Sequence, residues 1–121
     1  MDHRDTLAHL KELVLDFRDQ RAWQPFHTPK NLAMAIAIEA GELQELFLWK
    51  NDAEIQGDLD QGPFQQRLQG EMADILIFLL YLAHAAGVDL SEAVRAKIIE
   101  NNKKYPVAKS FGCHKKYNEL K

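Results

Sequence analysis

Cysteine is almost missing from this chain: Cys113 is the only one among 121 residues. No intrachain disulfide can form, which fits a reducing compartment. Serine is nearly as scarce, with Ser91 and Ser110 alone, and a helix cap or a loop explains each of them. There is no Gly-x-Ser-x-Gly elbow and no Walker-type glycine loop. Cys113-His114 lies in the tail and reads as a chance neighbour pair. Positive charge is also short. The net charge is −3, which argues against a general nucleic-acid binder. No apolar run is long enough to suggest a membrane span, because ILIFLLYLAHAA is short and Glu71 and Asp74 interrupt its approach. Residues 1–20 are amphipathic and charged, without a signal-peptide apolar stretch. A soluble cytoplasmic protein is the expectation. Strand signals are weak, and no repeat or low-complexity tract is present.

What the chain does contain is helical periodicity in four places. Its length suits one domain, and its 46% hydrophobic content supports a folded core. The first predicted helix runs from about Thr6 to Arg21, with Leu7, Leu10, Leu13, Val14 and Phe17 on one stripe. Thr28 and Pro29 suit the start of a second helix reaching Lys50. This helix is apolar nearly all round, as a helix buried on more than one side is. Residues 51–62 read as a polar connection. A third helix begins at Pro63 and ends at Ala86, before Gly87. Asp89-Leu-Ser-Glu92 resembles a capping box for a fourth helix that stops before Pro106. The expected fold is all-α, a four-helix domain over residues 1–106 followed by an irregular basic tail over 107–121. The greasy central helices predict a homo-oligomer, most simply a symmetric one.

Two acidic pairs interrupt the greasiest helices. Glu39 and Glu42 lie in AMAIAIEAGELQELFLW, and Glu71 and Asp74 lie in EMADILIFLLYLA. At about 100° per residue, Glu39 projects among Leu32, Ala35, Leu43 and Leu46, and Glu71 among Phe64, Ile75, Phe78 and Leu82. Spacing of i, i+3 puts each pair on one helical face. Ionised carboxylates taken out of water need compensation, and few basic residues are near. A divalent cation supplies it. An all-oxygen site suits Mg²⁺ or Mn²⁺ rather than zinc. A di-iron bundle would show Glu-x-x-His repeats, and none of the five His is three residues from these acids. Glu45 extends the series as a further ligand, a water-orienting base or an interface residue. Mg²⁺ on a few carboxylates commonly shares itself with substrate phosphates, which points to phosphoryl chemistry.

The charge is unevenly spread. Residues 97–121 hold seven Lys and two Glu. Lys97, Asn101 and Lys104 recur at i, i+4, i+7, so one face of the fourth helix offers donors to phosphates; a solvated basic face is the alternative. Trp23 and Trp49 can stack on a base or pack in the core. His27 can satisfy the turn before Thr28.

The segments WQPFHTPKNL, IEAGELQELFLWK, GEMADILIFLL, VDLSEA and KIIENNKKYP together resemble MazG-like nucleotide pyrophosphohydrolases, most of all their all-α dCTP pyrophosphatase branch. The resemblance implies a Mg²⁺-dependent four-helix enzyme, assembled as a dimer or tetramer, that splits a (deoxy)nucleoside triphosphate between the α and β phosphates. It implies metal ligation by Glu39, Glu42, Glu71 and Asp74. It implies nucleotide contacts from Trp23, His27, Asn31, Trp49, Lys97, Asn101, Lys104 and Tyr105. Phe78 stands where relatives often carry Tyr, removing one hydroxyl from the pocket, and the 51–62 connection is short. A non-enzymatic helical adaptor with a structural ion, and a sensor that binds nucleotide without cutting it, remain the competing expectations.

Overall fold

The computed structural model of the protein describes residues 2–121. Its regular elements are all helical, and no strand occurs among the described residues. Helix α1 spans Leu7–Asp19, α2 Pro29–Glu45, α3 Asp52–Leu59, α4 Gly62–Ala86, α5 Leu90–Lys104 and α6 Val107–Ser110. Short 3₁₀ turns occupy Gln24–Phe26 and Tyr117–Glu119. By internal packing the chain divides into two compact units, Met1–Gly87 and Val88–Lys121.

The caps lie where local chemistry places them. Thr6 Oγ1 accepts from the His9 N–H at 3.1 Å, and Thr28 Oγ1 from the Asn31 N–H at 3.3 Å. Pro29 opens α2, at a position whose N–H would be orphaned anyway. Asp89 accepts from the Glu92 N–H at 3.0 Å to start α5. Gly87 ends α4 in the left-handed region, at φ 68°, where a side chain is disfavoured.

In the first unit α4 is the central element, and α1, α2 and α3 all pack on it. Leu32 of α2 and Phe64, Leu80, Tyr81 and Ala83 of α4 are the buried core. A large apolar side chain buried this way contributes roughly 1.5–3 kcal/mol. Tyr81 also ties α4 to α1, because its hydroxyl donates to the Val14 carbonyl at 2.7 Å. By length and apolarity α4 alone would be long enough to cross a membrane. Three packed helices and mid-helix Glu71 and Asp74 mark it instead as the axis of a folded unit.

Two boundaries differ from expectation. The second helix ends at Glu45, not Lys50, and 46–49 form turns closed by i→i+3 bonds, with Trp49 at φ 65°. The 51–62 connection contains α3, capped by Asn51, whose side chain accepts from the Glu54 N–H at 2.9 Å. Tertiary contacts accompany both changes. Phe47 packs edge-on against Phe64 at 5.8 Å, and Lys50 reaches Asp58 at 2.7 Å, so the chain turns back onto α4.

The second unit holds α5, α6 and the C-terminal turn. The tail is more ordered than an irregular segment. Tyr117 meets Tyr105 edge-on at 6.3 Å, and the Lys104 amine lies 4.9 Å from the Tyr117 ring centre. No residue of α5 is buried, and Val94, Ile98 and Ile99 are all more than half exposed.

Candidate functional site

A shared cation requires that α2 and α4 bring the acids together. They do so for three. Glu39, Glu42 and Glu71 each offer a carboxylate oxygen within 4.8 Å of the other two. Glu39 and Glu71 are half-buried and Glu42 is exposed. One oxygen of Glu39 and one of Glu71, both Oε2, are fully buried without a hydrogen-bond partner. No Lys, Arg or His forms an ion pair with any of the three among the described residues. Such a cluster is costly unless protons or a cation neutralise it.

The electrostatics carry the same strain. Burial, then the adjoining Glu42 carboxyl, then the charge of Asp74, push Glu39 up to about 7. Glu71 is raised as well, first by burial and then by the charge of Glu42. Asp74 is exposed and lies outside the group of three, yet is near enough to disfavour ionisation of both.

Glu42 and Glu45 fall in the last turn of α2, where the helix dipole disfavours negative charge and no basic side chain offsets it. Glu45 is exposed and shares a cavity of about 420 Å³ with Glu42, Leu46, Lys50, Arg67 and Glu71. Sequence reasoning passed over Lys50 and Arg67. Arg67 carried a usable signal, since it precedes Glu71 by four residues and so shares its face. Lys50 carried none, because its position follows from the turn at 46–49.

The other expected site residues are spread over both units. His27 packs on Tyr81 with ring centres 4.5 Å apart, and its Nδ1 is buried and unpartnered. Burial, then the nearby Arg18 charge, lower its pKa and keep the ring neutral. Asn31 fastens the turn before α2, its side-chain amide donating to the Phe26 carbonyl at 3.3 Å. Trp23 stands edge-on to Phe17 at 5.8 Å, while Trp49 is 92% exposed in a left-handed conformation. An exposed tryptophan at positive φ is uncommon, and strain of this kind collects at functional positions. Phe78 is half-buried, edge-on to Tyr81 at 6.3 Å. In the second unit, Lys97 and Lys104 both contact Glu100, at 3.2 and 3.0 Å. Their hydrogen bonds lower the Glu100 pKa and raise that of Lys104. Asn101 is exposed on the same helix, and its carbonyl accepts from the Tyr105 N–H at 2.8 Å. Tyr105 stands against Tyr117.

Three clustered carboxylates with two buried, unpartnered oxygens fit a hard divalent cation. The donor set contains no thiolate or imidazole, which sets it apart from zinc and di-iron sites.

A family model described as MazG-like matches residues 34–120. The dCTP pyrophosphatase 1 of Rattus norvegicus is 43% identical over 115 residues, which cover 95% of this chain and 68% of the rat protein. The dCTP pyrophosphatase 1 of Homo sapiens is 40% identical over 116 residues, with the same coverage of 95% and 68%. The crystal structure of a pyrophosphatase from Archaeoglobus fulgidus superposes with a TM-score of 0.78 at 38% identity, covering 88% of this chain and 97% of that one. With a family match across most of its length, and with relatives 40–43% identical over 95% of it, the chain belongs to the MazG-like family.

Proposed function

We propose that this chain, a nucleotide pyrophosphohydrolase, uses Mg²⁺ to convert a deoxynucleoside triphosphate and water into the nucleoside monophosphate and pyrophosphate, with dCTP or a modified dCTP as substrate. The observation that carries this reading is the unneutralised trio Glu39, Glu42 and Glu71, whose oxygens lie within 4.8 Å of one another. The dCTP pyrophosphatases to which the chain is 40–43% similar in identity support the substrate class.

Glu39, Glu42 and Glu71 would hold the ion, and Asp74, outside their group but near enough for its charge to act on Glu39 and Glu71, would be the fourth ligand. A bound Mg²⁺ supplies Lewis acidity toward the polyphosphate and offsets its charge. Around it, the chain does the positioning. Glu45, exposed on the same cavity, orients the attacking water and takes its proton as the bond between the water oxygen and phosphorus forms. The bridging oxygen then leaves with pyrophosphate. On the second unit, taken by itself, Lys97, Asn101 and Lys104 present donors of the kind phosphate oxygens accept, and Tyr105 adds a hydroxyl. Trp23 and Trp49 supply faces for the base, with His27, Asn31 and Phe78 shaping the pocket. Neutral His27 donates or accepts without adding charge.

The working form is a homo-oligomer in the cytoplasm, cleansing the nucleotide pool. Support for assembly comes from the apolar side chains left open, among them Ile38 at 61%, Met72 at 56% and Ile99 at 60% exposure. Light scattering checks it, since a particle of 13.9 kDa, the mass of one chain, would end that part of the reading.

The test of function is pyrophosphate release from a panel of ribo- and deoxynucleoside triphosphates with Mg²⁺. dCTP or a modified dCTP is expected to turn over fastest. Release from none of them, with dCTP still raising the melting temperature, would leave a nucleotide sensor in place of an enzyme.

A further inference from the structure

The cavity beside the acids holds two cations, and they are not equivalent. Lys50 is already engaged: its amine contacts the Asp58 carboxylate at 2.7 Å and lies 4.8 Å from the centre of the Phe64 ring. Its charge is spent on holding the turn after α2 and helix α3 against α4. Arg67 is exposed and forms no ion pair among the described residues. It lines the same cavity as Glu42, Glu45 and Glu71.

The obvious partner for Arg67 is Glu71, one helical turn further along α4. That pair is not formed, and the cation-before-anion order is the weaker one at this spacing. A guanidinium beside three carboxylates, bonded to none of them, is kept for something else. Its planar fork suits phosphate oxygens in a bidentate grip. Once a divalent ion occupies the carboxylates, the polyphosphate still carries excess negative charge. The unengaged cation in the cavity is then Arg67.

We propose that Arg67 is a substrate-binding residue that grips the terminal phosphates, and so retains the pyrophosphate half of the substrate rather than the nucleoside half. This assignment rests on the pyrophosphohydrolase reading but is tested apart from it. The guanidinium remains charged at every working pH, so its contribution does not titrate with the acids.

The experiment is calorimetric titration of Mg²⁺, Mg²⁺-pyrophosphate and Mg²⁺-dCMP into the wild-type chain, Arg67→Ala and Arg67→Lys. Loss of a bidentate charge-assisted contact is expected to weaken pyrophosphate binding by about tenfold or more in Arg67→Ala. The lysine variant should fall between, keeping charge but not the fork. Binding of dCMP and of Mg²⁺ alone should change by less than about twofold, within roughly 0.4 kcal/mol. Because Arg67 is exposed, circular dichroism should show an unchanged fold. Pyrophosphate affinity unaltered in Arg67→Ala, no pyrophosphate binding by wild type, or equal weakening of dCMP or Mg²⁺ overturns the assignment. Tight pyrophosphate binding that depends on Arg67, with no triphosphate cut, would sink the hydrolase reading and leave Arg67 as a diphosphate contact.

Discussion

On α2 and α4, Glu39, Glu42 and Glu71 bring three carboxyl groups together, with no lysine, arginine or histidine paired to them among the described residues. On α5, Glu100 lies between Lys97 at 3.2 Å and Lys104 at 3.0 Å, so the charges answer one another. The two arrangements have opposite consequences for pKa. The first raises Glu39 and Glu71, chiefly by burial; the second lowers Glu100, chiefly by the Lys104 hydrogen bond. A self-neutralising surface group asks for no ligand and adds little to stability. A like-charge cluster with buried, unpartnered oxygens is unfavourable as it stands, and a cation turns that cost into affinity. The contrast separates charge that decorates a helix from charge that waits for a partner.

Neutralising Glu42 of the acidic cluster, or Asp74 beside it, is the strongest way to break this contrast. Glu42→Gln and Asp74→Asn should each lower kcat by more than about a hundredfold, beyond what losing an outer-shell partner of a metal costs. The fold should survive, and the metal-free melting temperature of Glu42→Gln should hold or rise, because repulsion is relieved. Steady-state kinetics with thermal melts checks both. Full activity in both variants would remove these residues from the site.

The pH dependence of metal-free stability sharpens the comparison next. Glu39 has a folded pKa raised from 4.5 to about 7, so its protonated form favours the fold. That contribution is complete below about pH 4.5 and is lost as pH rises through about 7. The chelated protein should therefore melt at lower temperature at pH 8 than at pH 5. Mg²⁺ should restore stability at pH 8 and do little at pH 5, where protons compete for the same oxygens. Scanning calorimetry with and without chelator reads this, and a flat metal-free profile would count against the cluster.

Trp49 offers a smaller effect of mixed sign. Glycine tolerates φ 65° without strain, so Trp49→Gly should stabilise the fold by about 1 kcal/mol. The same change removes a stacking face worth roughly 1–3 kcal/mol, raising KM for the nucleotide about tenfold. A stability gain without the KM change would make the exposed ring irrelevant to binding.

The least effect belongs to α5. Glu100→Gln releases Lys97 and Lys104 from a shared, solvent-exposed carboxylate and should barely shift the melting temperature. If these lysines meet phosphate, KM should fall severalfold at low salt and the benefit should fade as salt is added.

Much of this could be read along the chain, for reasons that differ by residue. Thr6, Thr28, Pro29, Gly87 and Asp89 announced their helix ends because a cap is a bond between near neighbours. Glu39, Glu42, Glu71 and Asp74 stood out because carboxylates within apolar periodicity are conspicuous. Helix α3 escaped notice, since eight residues with weak amphipathic character resemble a polar connection. The stop at Glu45 escaped too, because the apolar pattern runs on to Trp49 while the backbone turns to dock Phe47 on Phe64 and Lys50 on Asp58.

Local order, the all-helical class and the choice of candidate acids were thus written in spacing and residue type, which act over a few positions of chain. Packing alone decided that Glu39, Glu42 and Glu71 meet while Asp74 stays outside their group, and that Lys50 is occupied while Arg67 is open to a ligand. Those outcomes depend on where α2 and the turn after it settle against α4, a balance of burial and charge between segments far apart in sequence.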